Sequence, residues 1–350
     1  MMDWSVKAPL WILATAAMVM GLYWFADILT QFALAMILWL VIDGLARFLD
    51  EKAPAMPRAL ALPLALLLVL GAATGVVIVV ANNVGAITAH AGSYEARLNA
   101  LAAEAHALLR LAGEPPTVGE VLARANPTVL VERIAARAQA LASDALFIFI
   151  YLGFLFAAAA AFPKKLDAIF PNIEGRERAR RILTSIRVSM ERYLWTQTIA
   201  SVLITVLTLI TLEVLGMPNA LFWAFIIFFL NYIPTIGSIV AVALPGLFAL
   251  VQMPSLAGAL SVMAGIGVWQ FVIGNLVQPR MTGDSLNLSA LVVLLALAVW
   301  GSLWGITGAF LAAPLTVMAM IILAQFPATR WMAVILSANG EPEILNDPKS

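Results

Sequence analysis

Four uncharged amides, Asn231, Gln270, Asn275 and Gln278, stand in stretches otherwise apolar enough for a lipid bilayer. Polar groups at membrane depth are costly to bury, so their positions point to function. An amide donates and accepts hydrogen bonds without carrying charge, which suits a neutral polyol or a partly dehydrated ion. Gln270 and Gln278 are eight residues apart, close to two helical turns, and so share one face. Asn275 falls about 140° around from Gln270 and fits packing equally well. Carboxylates that would exchange a proton for a cation are limited to Asp27, Asp43, Glu191, Glu213 and Asp284. Each also reads as an interfacial residue facing headgroups or water. Arg280, following Pro279, fits an anchor at the interface, and Asn231 fits a helix cap or cross-link as well as a pathway residue.

Other chemistries are excluded by what the chain lacks. It has no cysteine, so no disulfide, thiolate nucleophile or thiolate metal site exists. His90 and His106 are the only histidines, too few for a histidine metal cluster, and no metal or cofactor is expected. No phosphate-binding Gly-x-x-x-x-Gly-Lys-Ser/Thr loop occurs, and no nucleophile–base pair suggests an enzyme. Net charge is zero, which points away from nucleic acid. With 63% hydrophobic and 11% charged residues, the chain is membrane-embedded, since soluble domains carry about 25% charged residues.

The amides need elements to hold them. Asn231 sits in Pro218–Pro245, an apolar run broken by Asn231, Pro234, Thr235 and Gly237. The arms on either side, 219–230 and 238–251, have 12 and 14 residues, whereas crossing the hydrocarbon takes about 20. Freed backbone at that depth survives only where protein buries it or it lines a watery cavity. A re-entrant hairpin over 219–251 is expected, with Gly237 and Gly246 as flexible points. A Pro/Gly kink in one tilted helix would also fit. Around it the hydropathy marks spans at 10–25, 28–48, 60–80, 145–162, 193–215 and 255–278. Residues 288–300 and 306–326 form a closing pair around a tight turn at 301–305. The first run continues well past its small-x-small triplet at 14–16 and reads as an uncleaved helix. The expected fold is all-α: a polytopic membrane protein of about eight transmembrane helices with a small helical extracytoplasmic domain. Its units are helices 1–3 (1–81), the extracytoplasmic domain (82–144), helix 4 (145–162), a basic amphipathic segment (163–192), the transport core (193–326) and a polar, unstructured tail (327–350). Trp24, Trp39, Trp300 and Trp304 suit interfaces. Gly71 with Gly75, and Gly301 with Gly305, form small-xxx-small pairs for close helix packing, and lipid is the obligatory partner.

Several stretches are similar to a known family. Gly216-Met-Pro-Asn-Ala220, Asn231-Tyr-Ile-Pro-Thr-Ile-Gly237 and Pro245 resemble the signature of the autoinducer-2 exporter family of bacterial membrane proteins. So do Asn275-Leu-Val-Gln-Pro-Arg280 with Gly283 and 286–288, and Trp300-Gly-Ser-Leu-Trp-Gly-Ile-Thr-Gly308 with 312–314. Tyr193, Leu194 and Gln197 match the opening of the fifth span. The resemblance covers residues 10–325 and is specific from 193 onward; Ala290 departs from it where the family usually has proline. It implies an inner-membrane homo-oligomer, with pentamers known in the family, exporting a small polar signalling molecule. Some members are described as sodium or lithium/proton antiporters, and a membrane scaffold or envelope-assembly role remains open from the residues alone.

Short basic loops at 47–58 and 164–192 orient the chain, because lysine and arginine favour the cytoplasmic side. Both termini are then cytoplasmic and 82–144 external. A single cysteine at Glu104 of this cysteine-free chain should react with an impermeant maleimide from outside; reaction only from inside would reverse the topology.

Overall fold

The computed structural model describes residues 4–52, 57–89, 91–108, 117, 127–253, 255–282 and 287–342. Helices carry nearly all of these. α1 (Trp4–Trp24) and α2 (Ala26–Lys52) are followed by α3 (Arg58–Ala89) and α4 (Ala91–Leu108). α5 (Pro127–Ile169) and α6 (Ile173–Val214) lead to two short helices, α7 (Ala220–Leu230) and α8 (Ile236–Gln252). α9 (Leu256–Val272) continues through a π-turn at Ile273–Val277 into α10 (Gln278–Thr282). α11 (Ala290–Ala324) and α12 (Arg330–Leu336) complete the described chain. Five helical runs are long and apolar enough to cross a membrane, or six when the bent α5 pair is counted as one span. The protein is an all-α, multi-pass membrane protein.

Sequence explains most breaks and bends. α5 bends by 63° between its 143–159 and 161–169 portions. Pro163 lies just beyond the bend, where its ring clashes with the carbonyl four residues earlier and removes one hydrogen bond. α6 is 42 residues, about 63 Å at 1.5 Å per residue, roughly twice the hydrocarbon thickness. The basic segment expected as a separate amphipathic helix at 163–192 is therefore mostly the first half of a rod that runs through Tyr193 without a break. Its arginines are held by ion pairs: Arg180 and Arg176 to Asp167 at 2.7 and 3.4 Å, and Arg187 to Asp43 and Glu191. Likewise the 82–144 stretch is not set apart at its ends. α3 extends to Ala89, α5 already begins at Pro127, and α4 packs beside α8. Arg110, Glu120 and Arg124 lie outside the described residues.

The core has two halves joined by α6. One cluster packs α2, α3 and α5 through Ile42, Ala46, Ala61, Ala65 and Leu152. The larger packs α6 to α9 around Trp223, Ile227, Val262 and Ile266. Leu40, Met190, Leu194, Val317 and Ile321 bridge α2, α6 and α11 between them. The ring of Trp39 lies under the Arg187 guanidinium, 5.9 Å from its centroid.

Two helical hairpins follow the same rule. α7 and α8 have 11 and 17 residues, and the chain turns between them at 231–235 as expected. α11 folds back on itself at Gly305, whose φ of 62° and ψ of −142° are not helical. Trp300 Nε1 lies 3.2 Å from Thr316 Oγ1, where sixteen residues of straight helix would separate them by about 24 Å. Gly305 is thus a turn residue rather than half of a packing pair, and Gly301 faces Ala309 across the fold. Trp304 Nε1 donates to Leu22 O of α1 at 2.9 Å. In each hairpin one glycine admits the opposite arm. A Cβ at Gly237 would overlap the Leu230 carbonyl, and one at Gly308 would overlap that of Trp300. At Gly246 a Cβ would overlap Met263. Gly237 and Gly246 are accordingly close-approach positions.

The tail is not unstructured from Pro327. α12 seats Ala333 against Met320 and Ala324, and Leu288 forms an antiparallel bridge with Ser337. Among the described residues, a Cβ added at Gly71 or Gly75 would meet nothing within 4 Å. Gly237→Ala and Gly308→Ala should each destabilise the purified protein by about 1–3 kcal/mol through overpacking, while Gly71→Ala should change it by less than about 0.5 kcal/mol. Thermal melts in mild detergent compare them directly.

Candidate functional site

The break between α7 and α8 is built from strained and freed backbone. Thr235 has φ 60° and ψ −60°, and Ile236 N donates to Pro234 O at 2.6 Å across it. That is a three-residue γ-turn of the rare positive-φ kind, which costs of order 1–3 kcal/mol and needs support from its surroundings. Support comes from both sides. Ser238 Oγ donates to Thr235 O at 2.8 Å, and Gly237 N to Ile233 O at 3.0 Å. Tyr232 stacks on Phe310 of the second hairpin at 5.2 Å, and its hydroxyl is 2.8 Å from Thr198 Oγ1. Ile233 packs beside Ala296, Leu297 and Ala312, so the two hairpins meet at this turn.

Side-chain amides then tie the turn to two helices. Gln197 of α6 donates from Nε2 to Asn231 O at 2.6 Å. Gln278 Nε2 donates to Gln197 Oε1 at 2.9 Å, and Gln270 Nε2 to Asn231 Oδ1 at 2.8 Å. The chain Gln278–Gln197–Asn231–Gln270 therefore links α10, α6, the break and α9. Asn231 Nδ2 is buried and has no partner among the described residues, leaving one strong donor unspent. Asn275 stands apart: its amide donates to Phe271 O on its own helix at 3.0 Å. The helix does not close at Gln278-Pro279-Arg280 either, because the π-turn carries it on to Thr282.

These groups wall a cavity of about 910 Å³. Asn231, Pro234, Gln270, Asn275, Gln278 and Pro279 all border it, together with Tyr193, Gln197, Thr235 and Ser238. Gly237 is buried immediately behind the wall, and Pro245 is buried within α8. The described lining residues are amides, hydroxyls and apolar side chains, none of them charged. The carboxylates proposed for ion coupling are elsewhere. Asp27 and Glu213 are exposed near helix ends, and Asp43 with Glu191 is held by Arg187 and Arg47. Asp284 lies outside the described residues.

Sequence reading left two parts of the wall unassigned. Gln197, matched only as the opening of the fifth span, is the hub of the amide chain; its distance of four residues from Tyr193 on one helix face was the available signal. Asn287 and the tail were not foreseen. Asn287, at φ 44°, accepts from Ala338 N through its backbone oxygen at 2.9 Å, and Ala338 and Asn339 close one edge of the cavity.

Replacing Gln197 by Leu should leave Asn231 O and the Gln278 amide without their partner, costing about 1–3 kcal/mol for each group stranded. Unfolding in detergent should show this loss for Gln197→Leu and a far smaller one for Asn275→Ala.

A profile described as AI-2E family transporter matches residues 12–328. The AI-2 transport protein TqsA of Escherichia coli K12 is 27% identical over 322 residues, covering 91% of each chain. A putative transport protein of Haemophilus influenzae is 27% identical over 338 residues, 94% of this chain and 96% of its own. Another from Borreliella burgdorferi is 33% identical over 206 residues, 59% of this chain and 56% of its own.

Proposed function

Because this chain belongs to the AI-2E family of transporters, we propose that it moves a small polar solute out of the bacterial cell through a pathway inside each protomer, beside the 219–251 hairpin. The observation that carries this reading is the uncharged, amide-lined cavity of about 910 Å³, within the range that small-molecule sites occupy. Amides and hydroxyls in a site of low polarity recognise a neutral polyol by hydrogen bonds alone, and the spare Asn231 Nδ2 supplies a donor for one of its oxygens. An autoinducer-2-like sugar derivative has that chemistry, and TqsA is named for its transport. In this reading the protein lies in the inner membrane with both termini cytoplasmic. It assembles as a homo-oligomer, a pentamer by family resemblance, and each copy works alone.

Antiport of sodium or lithium against protons is the second reading. It needs a carboxylate that binds proton and cation in turn, and Asp27, Asp43 and Glu213 do not reach the cavity. A scaffold or envelope-assembly role would leave the spare donor and the strained turn without a task.

Purified protein in liposomes discriminates among the three. Labelled autoinducer-2-like solute should exchange across the bilayer, and Asn231→Ala and Gln278→Ala should each cut the rate about tenfold or more, the equivalent of one buried hydrogen bond to a substrate. Sodium- or lithium-driven proton movement without solute exchange would favour the second reading. Unchanged exchange in both folded variants would move the pathway elsewhere.

A further inference from the structure

A second cleft, of about 300 Å³, lies between α2 and α6 on the side of α6 away from the amide chain. Its polarity runs in one direction. Arg47, Glu51 and Glu191 stand at the end where the basic loops gather, while Leu40, Val41 and Leu194 line the other end, where the one hydroxyl, that of Thr198, is engaged by Leu194 O and Tyr232. From Leu40 to Glu51 is eleven residues, about 16 Å along the helix axis. Charge at the boundary and hydrocarbon one to three turns deeper is the profile of a membrane amphiphile. Phe48 and Trp195 meet edge-on at 5.5 Å from opposite helices, about one turn or less from Arg47 and Glu191, and aromatic rings favour the headgroup region.

The charges select among amphiphiles. Arg47 is bound on one side by Asp43 and Glu191, yet its side chain stays 45% exposed. Its outer N–H groups are therefore open to an oxyanion. Glu51 is exposed and has no partner among the described residues. Arg47 and Glu51 are four residues apart on one helix face, about 5–6 Å at Cβ. One cation and one free carboxylate at that spacing match a phosphate joined to a primary ammonium by two carbons. An anionic headgroup would face Glu51, which no guanidinium neutralises among the described residues, while Glu191 is already held by Arg47 and Arg187. A quaternary ammonium would offer them no hydrogen bond. We propose that this cleft binds a phosphoethanolamine lipid, phosphate on Arg47 and ammonium on Glu51, with acyl chain along Val41 and Leu194. The site is independent of the transported solute.

Gly44 gives a clean probe, because it borders the cleft and a Cβ there meets nothing within 4 Å. Leucine at that position fills the cleft from an unobstructed side. The full chain, purified in mild detergent, is exchanged with equal amounts of phosphatidylethanolamine, phosphatidylcholine and phosphatidylglycerol, then weighed by native mass spectrometry. The unmodified protein should retain phosphatidylethanolamine about tenfold over the other two, the worth of one charge-assisted hydrogen bond. Gly44→Leu should abolish the retention. Glu51→Gln, on the exposed face, should erase the preference and keeps the test readable if the leucine variant misfolds. Equal retention of all three lipids by the unmodified protein, a preference for phosphatidylglycerol, or an unchanged preference in Glu51→Gln would each overturn the proposal.

Discussion

Inside a bilayer a peptide group has no water to fall back on, and that constraint shapes everything around residues 231–235. The chain gives up helix there, takes a positive φ at Thr235, and frees backbone oxygens. Gln197 satisfies one of them directly, and Ser238 satisfies another. Each amide recruited for this duty brings a second hydrogen-bonding end that must also be matched. Gln278 and Gln270 are drawn in for that reason, and the polar wall of the cavity follows from solving the backbone problem.

Glycine enforces the geometry that makes this possible. Gly237 and Gly308 let each hairpin's returning arm press against a carbonyl of the outgoing arm, at a distance no side chain permits. The two hairpins then meet through Tyr232 on Phe310 and Ile233 on Ala296. α6 passes this junction as an unbroken rod, with the large cavity on one face and the smaller cleft on the other. It is also the shared wall between the two halves of the core.

Much of this is legible in the sequence itself. Proline and glycine at 234 and 237, and amides in apolar runs, are local signals, and local signals located both the break and most of the cavity wall. Gly305 was legible as a turn for the same reason, but its spacing from Gly301 also imitated a packing pair. What could not be read depends on contacts between distant parts of the chain. Gln197 and Gln278 are 81 residues apart, and no periodicity announces that they touch. The docking of α12 rests on seven residues and a single bridge, too little pattern to distinguish from a polar tail. The continuity of α6 was hidden because a charged half and an apolar half look like two elements.

The π-turn at 273–277 has one more consequence, which concerns phase. Counting eight residues as close to two turns is too generous for an unbroken α-helix, where the steps from Gln270 to Gln278 would rotate by about 800° and leave the two amides about 80° apart. A π-turn absorbs one extra residue, so the same eight steps turn through about 700° and bring them to within about 20°. The single surplus residue works like a vernier, aligning two side chains that the ordinary helical count would leave askew. Hydropathy is blind to such a correction. Among relatives of this chain, a one-residue gap or insertion near 275 would therefore carry more weight than many substitutions elsewhere in the helix.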